Sequence, residues 1–458
     1  MRRLALFAAL AVASPAAAQP SPTEHPLLHE LVGKVSPERQ RETIARLVGF
    51  GTRHTLSDTK SPTRGIGAAR RWVASEFAAI SKDCGGCLTV ETPSQVVSGT
   101  TRIPNPTEVM DVLAIQRGTT DPDRVIVISG HMDSRVTDPM NFTSDAPGAN
   151  DDASGTAAVI EAARVLSKYK FPATLVFAAL SGEEQGLHGG KVLADYGTTH
   201  GWRVEADLNN DIVGNSEGLT GVRETTRVRV FSEGTKAVET PAEADKRRYN
   251  GGEVDSPSRQ LARMMDGLAD KYLANFDVAM VYRTDRFSRG GDQVEMLKAG
   301  FPAVRVTEAN ENYTRQHQDL RTENGIKYGD VIEGVDFAYL AQVTRLNIIS
   351  MAALASAPAP PTGVDIKGAV SVDTTVSWTP SPDAARYRMW WRSTTDPQWR
   401  FSRDAAPTGQ AVLKGVNIDD WFFGVSAVSA DGWESPVVFP GAPGQWAKGE
   451  PAKAAPGK

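Results

Sequence analysis

The chain has 458 residues, 40% apolar and 23% charged, with a formal net charge of −5. That length exceeds one ordinary domain, and the composition is that of a globular chain with a sizeable core rather than a disordered one. The near-neutral balance, with no basic stripe interleaved with aromatics, excludes a nucleic-acid surface.

The first stretch, "MRRLALFAALAVASPAAAQP", places Arg2 and Arg3 before an apolar run from Leu4 to Ala13 and ends in the small residues Ala16 and Ala18. This is the pattern of a secretory signal over 1–18, with the mature chain starting near Gln19 and exported to periplasm or medium. The run is shorter than the about 20 residues a bilayer span needs, and no later transmembrane segment is expected. The only two cysteines, Cys84 and Cys87 in "DCGGCL", are too few for a four-ligand zinc site and lack a thioredoxin-like context. An exported chain favours their closing a small disulfide loop.

Residues 25–355 alternate strand and helix. "RVIVISG" (124–130) and "ATLVFAAL" (173–180) are apolar, β-branched runs that read as buried strands. Between them "SGTAAVIEAARVLSKY" has apolar residues at helical spacing, so the unit is βαβ and the sheet largely parallel. Ligands bind such sheets beyond the carboxyl ends of the strands. The polar clusters follow the strands: His131 and Asp133 in "HMDS", Asp151 and Asp152 in "NDDASG", Glu183 and Glu184 in "SGEEQG", Asp211 in "NNDIVGN", and His317 then Asp319 in "RQHQDL". Alone, each is the ordinary capped, solvated or turn residue. Together, carboxylates and imidazoles at successive strand ends suit zinc, with manganese or cobalt as the other fits.

An Ala/Pro-rich linker (356–363) follows. Beyond it, short alternating strands between turn residues mark a small β-sandwich over 364–441, with Trp378, Tyr387 and Phe422 as core aromatics. This part resembles a fibronectin type III domain. The tail, 442–458, reads as loose.

The pieces "GHMDS", "PGANDDASG", "SGEEQGLHGG", "NNDIVGN" and "RQHQDLRT" stand in the order found in the M28 family of zinc peptidases, and the chain resembles its co-catalytic two-zinc aminopeptidases. The resemblance implies an α/β fold: a mixed, mainly parallel sheet with helices on both faces. It implies two zinc ions per chain, held by His131, Asp151, Glu184, Asp211 and His317, with Asp151 bridging both. Glu183 would be the general base acting on a zinc-bridged hydroxide, and Asp133 would support His131 from behind. Two cations about 3.5–4 Å apart need such a bridging carboxylate to offset their repulsion. The peptide bond after the bridging Asp tends to be cis in this family, while Asp152 also reads as the cap of the next helix. The expected substrates are peptides or proteins, cut from the amino end.

The match is incomplete. Gln316 stands where some members carry a Tyr that assists the oxyanion. "DRFSRGGDQ" keeps Ser288 and Asp292 but lacks the usual His, and both stay unassigned. His188 reads as structural. Arg135, Arg315 and Arg321 are the arginines near the motifs. A carboxypeptidase would aim such a residue at a terminal carboxylate. A glutaminyl cyclase on the same scaffold would need one zinc, which the five-ligand set argues against. A receptor-like relative without catalysis would not keep the ligands and Glu183 together.

Overall fold

A computed structural model describes residues 24–446 of the chain. The signal segment and the tail beyond 446 lie outside the described residues. Three helices come first: α1 (Pro26–Val32), α2 (Pro37–Val48) and α3 (Ile66–Asp83). At the end of α3, Gly85 and Gly86 take φ of 77° and 85°, a left-handed pair that side chains resist. They turn the chain so that Cys84 and Cys87 are disulfide-bonded.

Strand β1 (Thr89–Glu91) and the hairpin β2 (Ser94–Val97) and β3 (Thr107–Met110) lead to β4 (Val112–Gln116) and β5 (Asp121–His131). Then follow α4 (Ala153–Leu166), β6 (Ala173–Leu180), α5 (His188–Thr199), β7 (Arg203–Asn210) and β8 (Arg227–Phe231). The run continues with α6 (Pro241–Asn250), α7 (Pro257–Tyr272), β9 (Asp277–Val281), α8 (Gln293–Lys298) and β10 (Ala303–Glu308). A short hairpin, β11 (Arg321–Glu323) and β12 (Ile326–Tyr328), precedes the long α9 (Phe337–Ser356).

Eight strands form one mixed sheet in the order β1-β4-β6-β5-β7-β10-β8-β9. Its centre is parallel: β5 pairs with β6 and β7, and β10 with β7. Alternate residues of β5 enter different cores. Ile126 and Ile128 join the core shared with α2, α3, α4, α7 and α9, whereas Val125 and Val127 join the core shared with α5 and α8. Both faces are covered, which is why the strand reads as an unbroken apolar run. α9 is long and apolar enough to cross a membrane by length and composition, but 83% of its most apolar window is buried inside the fold.

Close packing fixes the start of α4. A Cβ on Gly130 would lie 2.7 Å from the backbone of Gly155, and one on Gly155 only 2.3 Å from the Asn210 carbonyl. With no side chains between them, the helix N-terminus sits directly on the carboxyl ends of β5 and β7.

Beyond α9, β13 (Thr362–Lys367), β14 (Thr374–Thr379), β15 (Arg386–Ser393), β16 (Phe401–Ala405), β17 (Gln410–Leu413) and β18 (Trp421–Val428) form two small antiparallel sheets. They share a core that includes Trp378, Tyr387, Trp391 and Phe423. Phe422 is a correction to the sequence reading. Strand alternation turns Phe423, Val425 and Ala427 inward, so Phe422 faces the other way, 5.6 Å from the Phe439 ring.

The predicted linker is not a free segment. Ser356 still belongs to α9, Thr362 already belongs to β13, and Ala357 is 1% exposed. Buried Arg124 donates to the carbonyls of Leu354 (3.0 Å) and Ala357 (2.6 Å) while paired with Glu205 at 2.9 Å. The start of the predicted tail is also packed: Pro443 and Gly444 are buried, and Trp446 lies against both cores.

The small sheets are clamped to the large domain by Asp255. It accepts from Arg392 at 2.8 and 2.9 Å and from Arg263 at 2.7 Å, with Asp255 and Arg392 both essentially fully buried. Trp399 Nε1 adds a bond to Gln260 at 2.9 Å. Truncating one partner of a buried pair strands the other charge. Arg392→Ala should therefore lower unfolding stability by about 3 kcal/mol in a urea titration; a loss below about 1 kcal/mol would be that of an exposed pair and would show that the clamp carries little.

Candidate metal centre

The central strands end at one edge and deliver the acidic and imidazole groups there. His131 is the last residue of β5, Asp211 directly follows β7, and Glu183 and Glu184 lie in the turn after β6. Asp151 sits in the loop before α4, and His317 in the segment after β10. Their donor atoms form two groups, each within 4.8 Å internally: His131, Glu183 and Asp211 in one, Asp151, Glu184 and His317 in the other.

Asp151 stands between the groups. Its Oδ1 lies 3.2 Å from His131 Nε2 and its Oδ2 lies 2.9 Å from His317 Nε2. Glu184 Oε1 is 3.1 Å from His317 Nε2, and Asp211 Oδ1 is 4.0 Å from His131 Nε2. His131 Nε2 and Glu184 Oε1 are buried and have no hydrogen-bond partner. Orphaned buried polar atoms are expensive, and here they converge with imidazole nitrogens and carboxylate oxygens, the donor set of zinc. The residues fit the metal.

Other groups hold these side chains still. Asp133, fully buried, accepts from Thr55 Oγ1 at 2.9 Å and from the backbone N–H of Glu184 at 3.3 Å and Glu183 at 3.4 Å. Its carbonyl lies 3.1 Å from His131 Nδ1, which directs the ring's other nitrogen at Asp151. Asp152 is the N-cap of α4: Oδ1 accepts from Gly155 N at 2.9 Å and Ile212 N at 3.2 Å, and Oδ2 from His131 N at 3.0 Å. One carboxylate thus ties α4 to the ends of β5 and β7. The Asp151–Asp152 peptide bond is cis. Asp330 accepts from the backbone N–H of Asn150 (2.9 Å) and Asp151 (2.7 Å), and Glu308 accepts from Asn150 Nδ2 at 2.8 Å.

The field in this cage favours cations. Burial alone would lower the His131 imidazole, but the adjoining Asp133 and Asp151 carboxylates overrule it and hold it well above its ordinary value. Burial would raise Asp151, yet His317 and His131 hold it well below the usual carboxylate range. Burial pushes Glu183 well up, and Asp211, Glu184 and Asp292 add to this against the pull of His131. Asp292, also buried, is pushed up to about 7.

The remaining sequence candidates sit elsewhere. Gln316 is buried and donates to Glu311 at 3.2 Å. Asp292 caps a neighbouring element by accepting from Gly190 N at 2.8 Å. Ser288 and His188 belong to neither group, and Asp319 uses its backbone N–H on Thr137. Arg315 is engaged with Asn215, the Gly334 carbonyl and Glu217, and Arg321 with Glu323 and the Tyr328 ring. Arg135 alone of the three reaches the centre, at 2.7 Å from Glu184 Oε2.

Sequence reasoning missed Arg305, Asp330 and Arg53. Arg305, fully buried in β10, donates to Asp211 Oδ2 at 2.5 Å and faces Asp285 at 3.5 Å; a charge inside the apolar "AVRVTE" was the available signal. Arg53 joins the carbonyls of Met132 (2.7 Å), Pro147 (2.6 Å) and Gly148 (2.8 Å), bracing the loops beside His131 and Asp151.

Residues 111–333 match Peptidase family M28, a stretch that contains all six clustered side chains. A Pyrenophora teres f. teres protein named "Probable zinc metalloprotease" is 46% identical over 90% of this chain and 86% of its own length. A Pyricularia oryzae protein of the same name is 42% identical over 90% of this chain and 84% of its own. Among solved structures, the LapA aminopeptidase of Legionella pneumophila is similar in fold, with a TM-score of 0.51 at 18% identity, covering 77% of this chain and 80% of that one.

Asp330 belongs to neither group of candidate ligands, yet it anchors the backbone on both sides of the Asn150–Asp151 bond. Asp330→Ala should weaken zinc binding by about 10–100-fold, as loss of a ligand's supporting partner does, measured by competition with a chromophoric chelator. Unchanged affinity would mean that the loop holds Asp151 without it.

Proposed function

This chain belongs to peptidase family M28 and is a zinc-dependent peptidase, and on that premise we propose that it is an exported aminopeptidase carrying two zinc ions. His131 and Asp211 would hold one ion and Glu184 and His317 the other, with Asp151 shared between the two sites. The observation that carries this reading is the placement of Asp151, whose two oxygens face different histidines at 3.2 and 2.9 Å. Bound there, a metal pair lowers the pKa of water and polarises the scissile carbonyl.

Glu183 acts as general base. Its carboxylate takes the proton of the attacking water and delivers it to the leaving amine. Burial among the other carboxylates raises its proton affinity, which favours taking the water proton. Asp133 fixes its direction through the Glu183 backbone N–H.

The concentration of carboxylates favours a substrate that brings a free α-ammonium. A carboxypeptidase needs a guanidinium aimed at a terminal carboxylate. Arg135 is committed to Glu184, and Arg315 and Arg321 are engaged away from the ligands. Support for amino-terminal cleavage therefore comes from both signs of charge.

Glu183→Gln should lower kcat by about 10² or more while zinc stays bound, whereas Glu184→Gln should lose zinc as well. Metal content and turnover measured on the same samples separate the roles, and normal turnover in both variants overturns them. A chromogenic amino acid amide with a free amine should be cut and its N-acetyl form should not, because capping removes the ammonium. Equal rates on the two would refute amino-terminal recognition.

A further inference from the structure

The two histidines at the centre are held in opposite ways. His131 Nδ1 faces only acceptors, the Asp133 carbonyl at 3.1 Å and Asp133 Oδ1 at 3.4 Å. That nitrogen therefore carries the N–H, which leaves Nε2, the atom facing Asp151, as the one that can offer a lone pair to a metal. A metal-binding His is ordinarily set up this way.

His317 is set up in reverse. Its Nδ1 lies 2.6 Å from Arg135 Nη2. A guanidinium has five donors and no acceptor, so Nδ1 must present a lone pair to it. The ring proton is then on Nε2, the atom facing Asp151 Oδ2 at 2.9 Å and Glu184 Oε1 at 3.1 Å. The carboxylates favour a proton there, and the guanidinium opposes one at Nδ1. A cation at Nε2 requires the opposite tautomer, with N–H at Nδ1, and that N–H would point at a guanidinium N–H. Arg135 also holds Glu184 Oε2 at 2.7 Å and is tethered by the Val136 carbonyl at 3.2 Å. It is a resident cation spanning two of the three groups of the second cluster.

Resting on the two-metal reading above, we propose that Arg135 is a loading residue: its guanidinium stands in for the second metal, so the His131 group fills first and the Asp151–Glu184–His317 group fills only as Arg135 leaves His317. The two sites then differ in affinity because of a side chain that is not itself a ligand. Arg305 causes no equivalent block, since it takes Asp211 Oδ2 and no histidine nitrogen.

The test is a zinc titration of the metal-stripped full-length chain against a competing chromophoric chelator, with thermal melts to verify folding. The wild type should bind zinc in two steps separated by about 10-fold or more, the scale of such supporting contacts. Arg135→Gln offers a carbonyl that accepts from Nδ1–H, and it should tighten the weak step by about 10-fold or more while leaving the strong step in place. Arg135→Lys still only donates, and it should keep the separation. Two equally tight steps in the wild type overturn the proposal and leave the two-metal reading standing. A weak step that Arg135→Gln leaves unchanged or weakens also overturns it. No more than one zinc in both the wild type and Arg135→Gln overturns this proposal and the two-metal reading together.

Discussion

Like charges forced together in a buried place dominate this molecule. Asp133, Asp151, Asp152, Glu183, Glu184 and Asp211 crowd one edge of the sheet, and all but Glu183 are buried. Repulsion between charges a few ångströms apart is screened poorly in such a place. The fold answers it in two ways. Backbone N–H groups aim at Asp133 and Asp152, and guanidinium groups neutralise Asp211 and Glu184. What is left over is a deficit of positive charge between His131 and His317, which a divalent metal would meet. The glycines at 130 and 155 belong to the same account, because only their close contact lets Asp152 reach three elements with one side chain.

Most of the centre was legible because its chemistry is written next to strand ends. His131 and Asp211 adjoin the ends of β5 and β7, and the Glu pair follows β6 by three and four residues, so the strand ends also locate the clustered side chains. The helix start was legible through Asp152, whose capping role needs only local geometry. What escaped were partners brought from far along the chain. Arg305 meets Asp211 across 94 residues, and Asp330 meets Asn150 across 180. No local pattern announces such a pairing, since it depends on how β10 and the loop after β12 are laid into the sheet.

The C-terminal part shows a different limit. Its alternating pattern was readable, but the parity was not: a one-residue shift of register exchanges the faces of a strand. Of two adjacent aromatics the sequence pattern puts Phe422 in the core, whereas the pairing of β18 with β15 turns Phe423 inward. Composition misled at the joint as well. Ala and Pro suggest a spacer, yet Ala357 is buried and its carbonyl is taken by Arg124.

That joint has a consequence for how the two parts cooperate. A tethered module searches a volume, and its benefit to a neighbouring site is an effective concentration set by linker length. Here residues 357–361 are pinned, Asp255 grips Arg392, and the His25 ring stacks on Trp433 at 3.6 Å, which ties the beginning of the described chain to its end. Anything grasped by the small sheets is consequently held at one range and one bearing from the catalytic edge. A second contact made there would work as a ruler rather than a leash: it would discriminate among large substrates by where along their length that contact falls, and it would offer nothing to a substrate too short to reach both.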